Sequence, residues 1–416
     1  MKKLRLRALL PVLSLITISL FAGGCLNATQ ATLKKPAPAE SVDTKLVTAN
    51  TGLGFNLFRK LEQTDPGQNV FISPASVAMA LAMTYNGADG ATKEAMAKTL
   101  GLQGMSLEEV NRANADLKTI LENPDPGVQI TIANSLWTRQ GIDFKSEFIQ
   151  RNRDYYAAEV ETIDFSQPGA ADTINNWVKK NTGSKIDKIV ERIEADDILF
   201  LINAVYFKGS WADKFEQSKT KDGLFNLPDG TQKKQPMMSR TGQYGYYQGD
   251  NFQAVRIPYG NQRVSMYVFL PARESSLTEF YHNLDAANWE KWLPRFTETT
   301  VQLALPRFKF EYEVSLNDTL KALGMEIAFD SRQADFGKMC PITPLSVVYI
   351  GKVKHKTFID VNEEGTEAAA ATSVEFKCTG MPQITNMVVD RPFFFAITDD
   401  QTGTILFMGS VSEPQT

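Results

Sequence analysis

Glu363-Glu364-Gly365-Thr366-Glu367-Ala368-Ala369-Ala370-Ala371-Thr372 is the stretch on which the reading of this 416-residue chain turns. Local propensity favours a short helix, since alanine is the best helix former and acidic residues suit a first turn. Thr366 would be its N-cap, although Ala369 supplies no capping box. Strand propensities disfavour Ala and Glu. The flanks overturn that reading. Upstream, residues 352–361 alternate, with Val353, His355, Thr357, Ile359 and Val361 on one face, which is a strand pattern. Downstream, residues 373–386 have no clean period and lead into two more strands.

Strand, small residues, irregular segment, strands: in that order the region resembles the reactive-loop region of the serpins, the serine-protease-inhibitor family. Glu363, Gly365, Thr366, Glu367 and Ala368, Ala369, Ala370 and Ala371 match the hinge, with Thr372 closing it. Val389-Asp390-Arg391-Pro392-Phe393 matches the family's C-terminal signature. The resemblance runs from about residue 50 to residue 414. It implies a single large α+β domain of about nine helices and three β-sheets, with an exposed reactive-centre loop over residues 363–386. In such proteins the cut loop enters a sheet as a new strand. A strand slipping between two others must carry nothing bulky or charged inward. Period-2 alternation puts Thr366, Ala368, Ala370 and Thr372 on one face, all small and uncharged. The resemblance further implies that Thr366 stays near the surface, at the loop's base, until insertion begins.

Composition is that of an ordinary globular protein: 43% hydrophobic, 22% charged, net charge −4. No positive excess points to nucleic acid. Lys2, Lys3, Arg5 and Arg7 precede a short apolar run over residues 8–22, then Gly23-Gly24-Cys25. That is a signal peptide over residues 1–24 rather than a membrane span. Small residues before Cys25 resemble a bacterial lipoprotein processing site, with plain secretion as the alternative. The chain is thus expected to be exported, as a cell-envelope lipoprotein held only through Cys25 or as a secreted protein. Without the four basic residues of the signal, 40 basic residues face 48 acidic ones. Residues 25–48, rich in Ala, Thr, Pro and Lys, read as a flexible tether, and residues 49–416 as the domain. Cys340 and Cys378 are read as free thiols, because a bridge would restrain the loop.

Leu53, Leu57, Phe58 and Leu61 mark a first helix that ends before Pro66-Gly67. Asn69 to Ser73 gives a strand, with Ser73 as N-cap and Pro74 in the first turn of the next helix. A third helix holds Met96 and Leu100. Ser106 and Glu109 make a capping box for a fourth. By resemblance this fourth helix could be a glycosaminoglycan site, but it offers only Arg112 and Lys118, so none is expected. Ile130, Ile132, Asn134 and Leu136 alternate, and a helix surrounds Ile174, Trp177 and Val178. The apolar run of residues 198–207 reads as a strand buried on both faces. By resemblance it is a central strand of the sheet that opens. Strands at residues 265–270 and 301–305 and a helix at 315–323, stopped by Gly324, follow. Residues 393–397 and 404–411 form a hairpin around Gly403. Helices and strands mix without βαβ regularity, which says α+β and one domain.

No nucleophile or orienting acid accompanies His355, so catalysis is not expected of it. By resemblance, Ser73, Ser76, Asn203 and His355 form a latch beneath the opening sheet. Asn203, an amide in an apolar strand, must find partners. Trp211 matches a position where the loop first enters. His282 gets no role. Lys352, Lys354 and Lys356 read as a solvated strand face. No metal-ligand spacing and no glycine-rich phosphate loop appears, so no cofactor is expected.

The function implied is suicide inhibition, not enzymatic turnover, by a monomer whose partner is a serine protease held as a covalent acyl complex. The family's spacing from Gly365 puts the cleaved bond at Thr379-Gly380, which suits elastase-like or subtilisin-like proteases. Lys377, which would direct trypsin-like enzymes, Cys378 and Met381 are the alternatives. A non-inhibitory carrier or chaperone would keep the fold but usually loses the small-residue hinge. A solute-binding envelope lipoprotein would show two lobes with βαβ repeats.

Overall fold

A computed structural model describes residues 41–122, 124, 127–195, 197–341, 348–366 and 384–415, which lie in one compact unit from residue 36 onward. The expected signal, Cys25, the first part of the tether, hinge residues 367–372 and residues 377–381 lie outside the described residues. Among those described are nine α-helices.

The chain begins with α1 (Thr44–Thr64), β1 (Val70–Ile72), α2 (Pro74–Tyr85), α3 (Gly90–Thr99) and α4 (Leu107–Leu121). Residues 44–48, expected to belong to the tether, are therefore helical instead. Asp43 caps α1 by accepting from the Lys45 amide at 2.8 Å, and Leu46, Ala49 and Leu53 already bury a helical stripe. Ser73 precedes α2 but its hydroxyl does not cap it. Ser106 and Glu109 make the expected capping box on α4. There Arg112 pairs with Glu108 and Lys118 with Glu122.

Next come β2 (Val128–Arg139), α5 (Ser146–Tyr156), β3 (Glu159–Ile163), α6 (Ala170–Asn181) and β4 (Leu199–Ser210). They are followed by β5 (Lys221–Asn226), β6 (Gln232–Gln248), β7 (Phe252–Tyr259), β8 (Val264–Pro271), α7 (Leu277–His282) and α8 (Ala286–Trp292). The C-terminal third holds β9 (Thr297–Pro306), β10 (Phe308–Ser315), α9 (Asn317–Leu320), β11 (Lys354–Asn362), β12 (Gly365–Thr366), β13 (Thr385–Val388), β14 (Phe393–Asp399) and β15 (Thr404–Val411). The helix expected from residue 315 begins at Asn317, because Ser315 is the last ladder residue of β10. Gly324 breaks the segment after α9 with φ +108°.

One sheet has the order β10-β11-β12-β4-β2-β3, the other β1-β15-β14-β8-β7-β6-β9-β13 with β5 alongside β6. The three expected sheets run as two ladders among the described residues. The seventeen-residue β6 pairs with β5, β9 and β7 and so joins the strands of two of them. The terminal hairpin β14–β15 turns through Gly403 at φ +74°. Phe71 stacks on Phe395 and Phe407, with centroids 5.6 and 5.2 Å away, and meets Phe310 of the six-stranded sheet edge-on. These rings lock the two sheets together beneath α1 and α2.

Strand β11 alternates as expected, with His355, Thr357, Ile359 and Val361 buried. On its other face Lys354 and Lys356 pair with Glu313 and Glu311 of β10. β4 differs from expectation. Its apolar residues are mostly half-buried rather than buried on both faces. The cause lies in the sheet: β4 has a full partner, β2, on one side only. On the other side, among the described residues, it meets the two-residue β12, and β12 is all that bridges β4 and β11.

Candidate functional site

Gly365 and Thr366 form the two-residue strand β12, seated between β11 and β4. Thr366 pairs with Val361 and Gly209, and Gly365 with Asn362 and Ser210, antiparallel on both sides. Only glycine fits the first position. Gly365 has φ +147°, and a Cβ there would fall 2.0 Å from the Gly209 carbonyl oxygen. Thr366 is 3% exposed. The expectation of a surface position is thus corrected: two hinge residues already occupy the sheet, because the Glu363-Glu364 turn delivers the chain directly between the two strands.

Several contacts hold that turn. The backbone amides of Phe215 and Trp211 donate to the carbonyls of Glu363 and Glu364, each at 3.0 Å. Asn362 Oδ1 accepts the Glu364 amide at 3.0 Å. Glu363 is buried, and Arg307 Nε donates to both its carboxylate oxygens at 2.8 Å. Arg307 Nη2 and the Thr220 hydroxyl also donate to it. Burial pushes the Glu363 carboxyl up, but Arg307 and Thr220 more than offset this and hold it below its ordinary value. Lys214 pairs with Glu364.

Trp211 packs beside this turn. Its Nε1 donates to the Asn362 carbonyl at 2.9 Å, and its ring stacks on Tyr259 with centroids 4.3 Å apart. The Tyr259 hydroxyl lies 2.7 Å from Thr366 Oγ1. Gly209 makes room for the tyrosine ring, since a Cβ there would sit 2.8 Å from it. Burial raises the Tyr259 phenol far above its ordinary value, so it stays protonated and able to donate.

The four proposed latch residues are only partly joined by hydrogen bonds. His355 Nε2 accepts the Ser73 amide at 3.0 Å, while the Ser73 hydroxyl donates to the Leu406 carbonyl at 2.7 Å. Burial lowers the His355 pKa to about 4, so the ring is neutral, as an acceptor must be. Asn203 bonds to neither. Its Nδ2 donates to Asn134 Oδ1, and its own buried Oδ1 has no partner among the described residues. Ser76, Asn203 and His355 do line one cavity of about 270 Å³ between β4 and the start of β11. Cys340 is a buried free thiol, and burial raises its pKa.

Sequence reasoning missed Arg307, Thr220, Tyr259 and Asn134. Asn134 carried a usable signal, a polar residue in register with Ile130 and Ile132 on an alternating strand. The other three carried none, being brought to the hinge by distant strands or loops. Among the described residues no cluster of His, Cys, Asp and Glu could hold a metal ion. No described helix is long and apolar enough to cross a membrane.

The profile of the serpin (serine protease inhibitor) family matches residues 48–414, and the chain belongs to that family. An uncharacterized serpin-like protein of Thermococcus kodakarensis is 34% identical, over 97% of this chain and 99% of its own length. Human leukocyte elastase inhibitor is 33% identical over 89% of this chain and all of its own length. Among solved structures, the thermophilic serpin tengpin in its native state superposes with a TM-score of 0.83 at 34% identity, covering 91% of this chain and 97% of its own.

Proposed function

We propose that this chain is an inhibitory serpin that traps serine proteases by inserting its cleaved reactive loop between β11 and β4. The observation that carries this reading is the seated pair Gly365–Thr366, followed in the sequence by Glu367 and the small-residue run of residues 368–372. A protease attacking Thr379-Gly380 forms an acyl-enzyme on Thr379. Residues 367–379 then follow Thr366 into the sheet and carry the protease about 40 Å, at about 3.3 Å per residue. Roughly a dozen new backbone hydrogen bonds at about 1 kcal/mol net each rival a whole domain's stability. The native form is then metastable and persists behind a kinetic barrier. In this reading Ser73, Ser76, Asn203 and His355 release the sheet as it opens, and Trp211 guards the entry.

Thr379 suits proteases with pockets for small or medium uncharged side chains, elastase-like or subtilisin-like, and the similarity to leukocyte elastase inhibitor supports that class. The protein is further proposed to act outside the cytoplasm, anchored through a lipid on Cys25. A panel of serine proteases, scored for covalent complexes that survive boiling in detergent, tests the function. Elastase-like or subtilisin-like enzymes should give such complexes and release a C-terminal fragment beginning at Gly380. Cleavage with full recovery of protease activity across the panel would refute inhibition, and a fragment beginning at Pro382 would move the bond.

A further inference from the structure

We propose that Tyr259 is a positioning residue for loop insertion: its hydroxyl anchors Thr366 in the sheet and sets how readily the rest of the hinge follows. The inference deepens the inhibitory reading and rests on it.

Tyr259 closes the far end of β7, in a strand that belongs to the other sheet. Its ring is fully buried, stacked on Trp211 and edge-on to Phe207 at 5.3 Å. The Trp211–Tyr259 backbone bridge fixes the ring's position. The only polar atom of that side chain is its hydroxyl, and it points at Thr366 Oγ1, 2.7 Å away and equally buried. Two hydroxyls facing each other in an apolar surround satisfy one another. Drawing the hinge out of the sheet would strand the Tyr259 hydroxyl without a partner. The pair therefore favours the seated hinge over the withdrawn one. A seated Thr366 matters for timing, because insertion competes with hydrolysis of the acyl-enzyme. A hinge that starts inside the sheet has already crossed the entry.

The ring and the hydroxyl separate cleanly by substitution. Tyr259→Phe keeps the stack on Trp211 and removes only the oxygen, leaving Thr366 unpaired. Thr366→Val does the converse. The double variant leaves neither hydroxyl stranded, so its effect should be smaller than the sum of the two. Two measurements decide the matter. In the free protein, hydrogen exchange of the amides of residues 364–366 should quicken by about fivefold in each single variant, the factor that one lost hydrogen bond gives. With an elastase-like protease, the inhibitor molecules consumed per protease trapped should rise in the same variants.

Wild-type exchange and wild-type partition in Tyr259→Phe would overturn the anchor. So would strictly additive effects in the double variant, since two residues acting only through general stability do not couple. If the wild type itself traps no protease, the inhibitory reading falls. The exchange measurement then still decides whether Tyr259 holds the hinge.

Discussion

Gly365→Ala is the smallest change that should displace the hinge. The added methyl would lie 2.0 Å from the Gly209 carbonyl oxygen, 2.8 Å from Ser210 Cα and 3.0 Å from the Gly209 carbonyl carbon. All three are backbone atoms of β4, so no side-chain rotation relieves the collision. The backbone itself resists, because φ +147° is a conformation that costs a non-glycine residue about 1–3 kcal/mol. Against that stand the few ladder bonds of a two-residue strand, at about 1 kcal/mol net each. Strain alone thus matches the hold, and the steric clash tips the balance. At about 1.4 kcal/mol per factor of ten, the withdrawn hinge should gain on the order of ten- to a hundredfold in population. Hydrogen exchange on the native protein reads this directly at residues 364–366, with β2 amides as the internal control. A variant whose hinge amides stay as protected as the wild type's would refute the steric argument.

Other consequences follow from the same geometry. Arg307→Met would strand the buried Glu363 carboxylate; because Arg307 is about one-third exposed, the cost should be about 1–3 kcal/mol, below that of a fully buried pair. A thermal scan should show a melting point lower by a few degrees, partly restored by adding Glu363→Gln, and an unchanged melting point would contradict the anchor. His355, ordinarily near 6.5 and lowered to about 4 by burial, is neutral in the fold but protonates in the unfolded chain below pH 6.5. Its contribution, about 3 kcal/mol, is therefore present above pH 6.5 and lost as the pH falls towards 4. Glu62 runs the other way, since burial raises it to about 7: its contribution is full below pH 4.5 and lost as the pH rises through 7. Between pH 4.5 and 6.5 the two slopes nearly cancel, so urea midpoints of His355→Gln should rise as the pH falls from 7 towards 4.5 while the wild type's stay nearly level, and a variant as level as the wild type would count against the neutral ring. Finally, Cys25→Ser should move the protein from the membrane fraction to the soluble one while trapping continues, whereas a mature N-terminus downstream of Cys25 would exclude the lipid anchor.

The small, uncharged alternation of Thr366, Ala368, Ala370 and Thr372 was legible because side-chain size is written residue by residue; of the four, Thr366 is among the described residues, where it lies in β12. β11 was legible for the same kind of reason, since one buried face imposes alternation on His355 to Val361. The state of the hinge was not legible. Thr366 is buried by Tyr259, 107 residues away along the chain, and Glu363 is held by Arg307, 56 residues away. No local pattern marks such pairs. β4 illustrates a different limit. Its apolar run identifies a central strand, yet hydropathy does not record that the neighbour on one side is two residues long among those described. The start of α1 was missed because Thr44 and Lys45 carry the composition of the preceding segment, while Leu46 carries the packing.

The measurement that tests the account most directly is a titration of an elastase-like protease with the wild type and with Thr366→Arg, followed on denaturing gels and by residual activity. Thr366 is buried between two strands, so a long cation there forces the hinge out of the sheet and should block its re-entry. Wild type should trap the protease as a covalent complex near one to one. The variant should be cut at the same bond and release active protease, because slow insertion leaves water time to finish deacylation. Covalent complexes from Thr366→Arg at the wild-type ratio would contradict inhibition by hinge insertion.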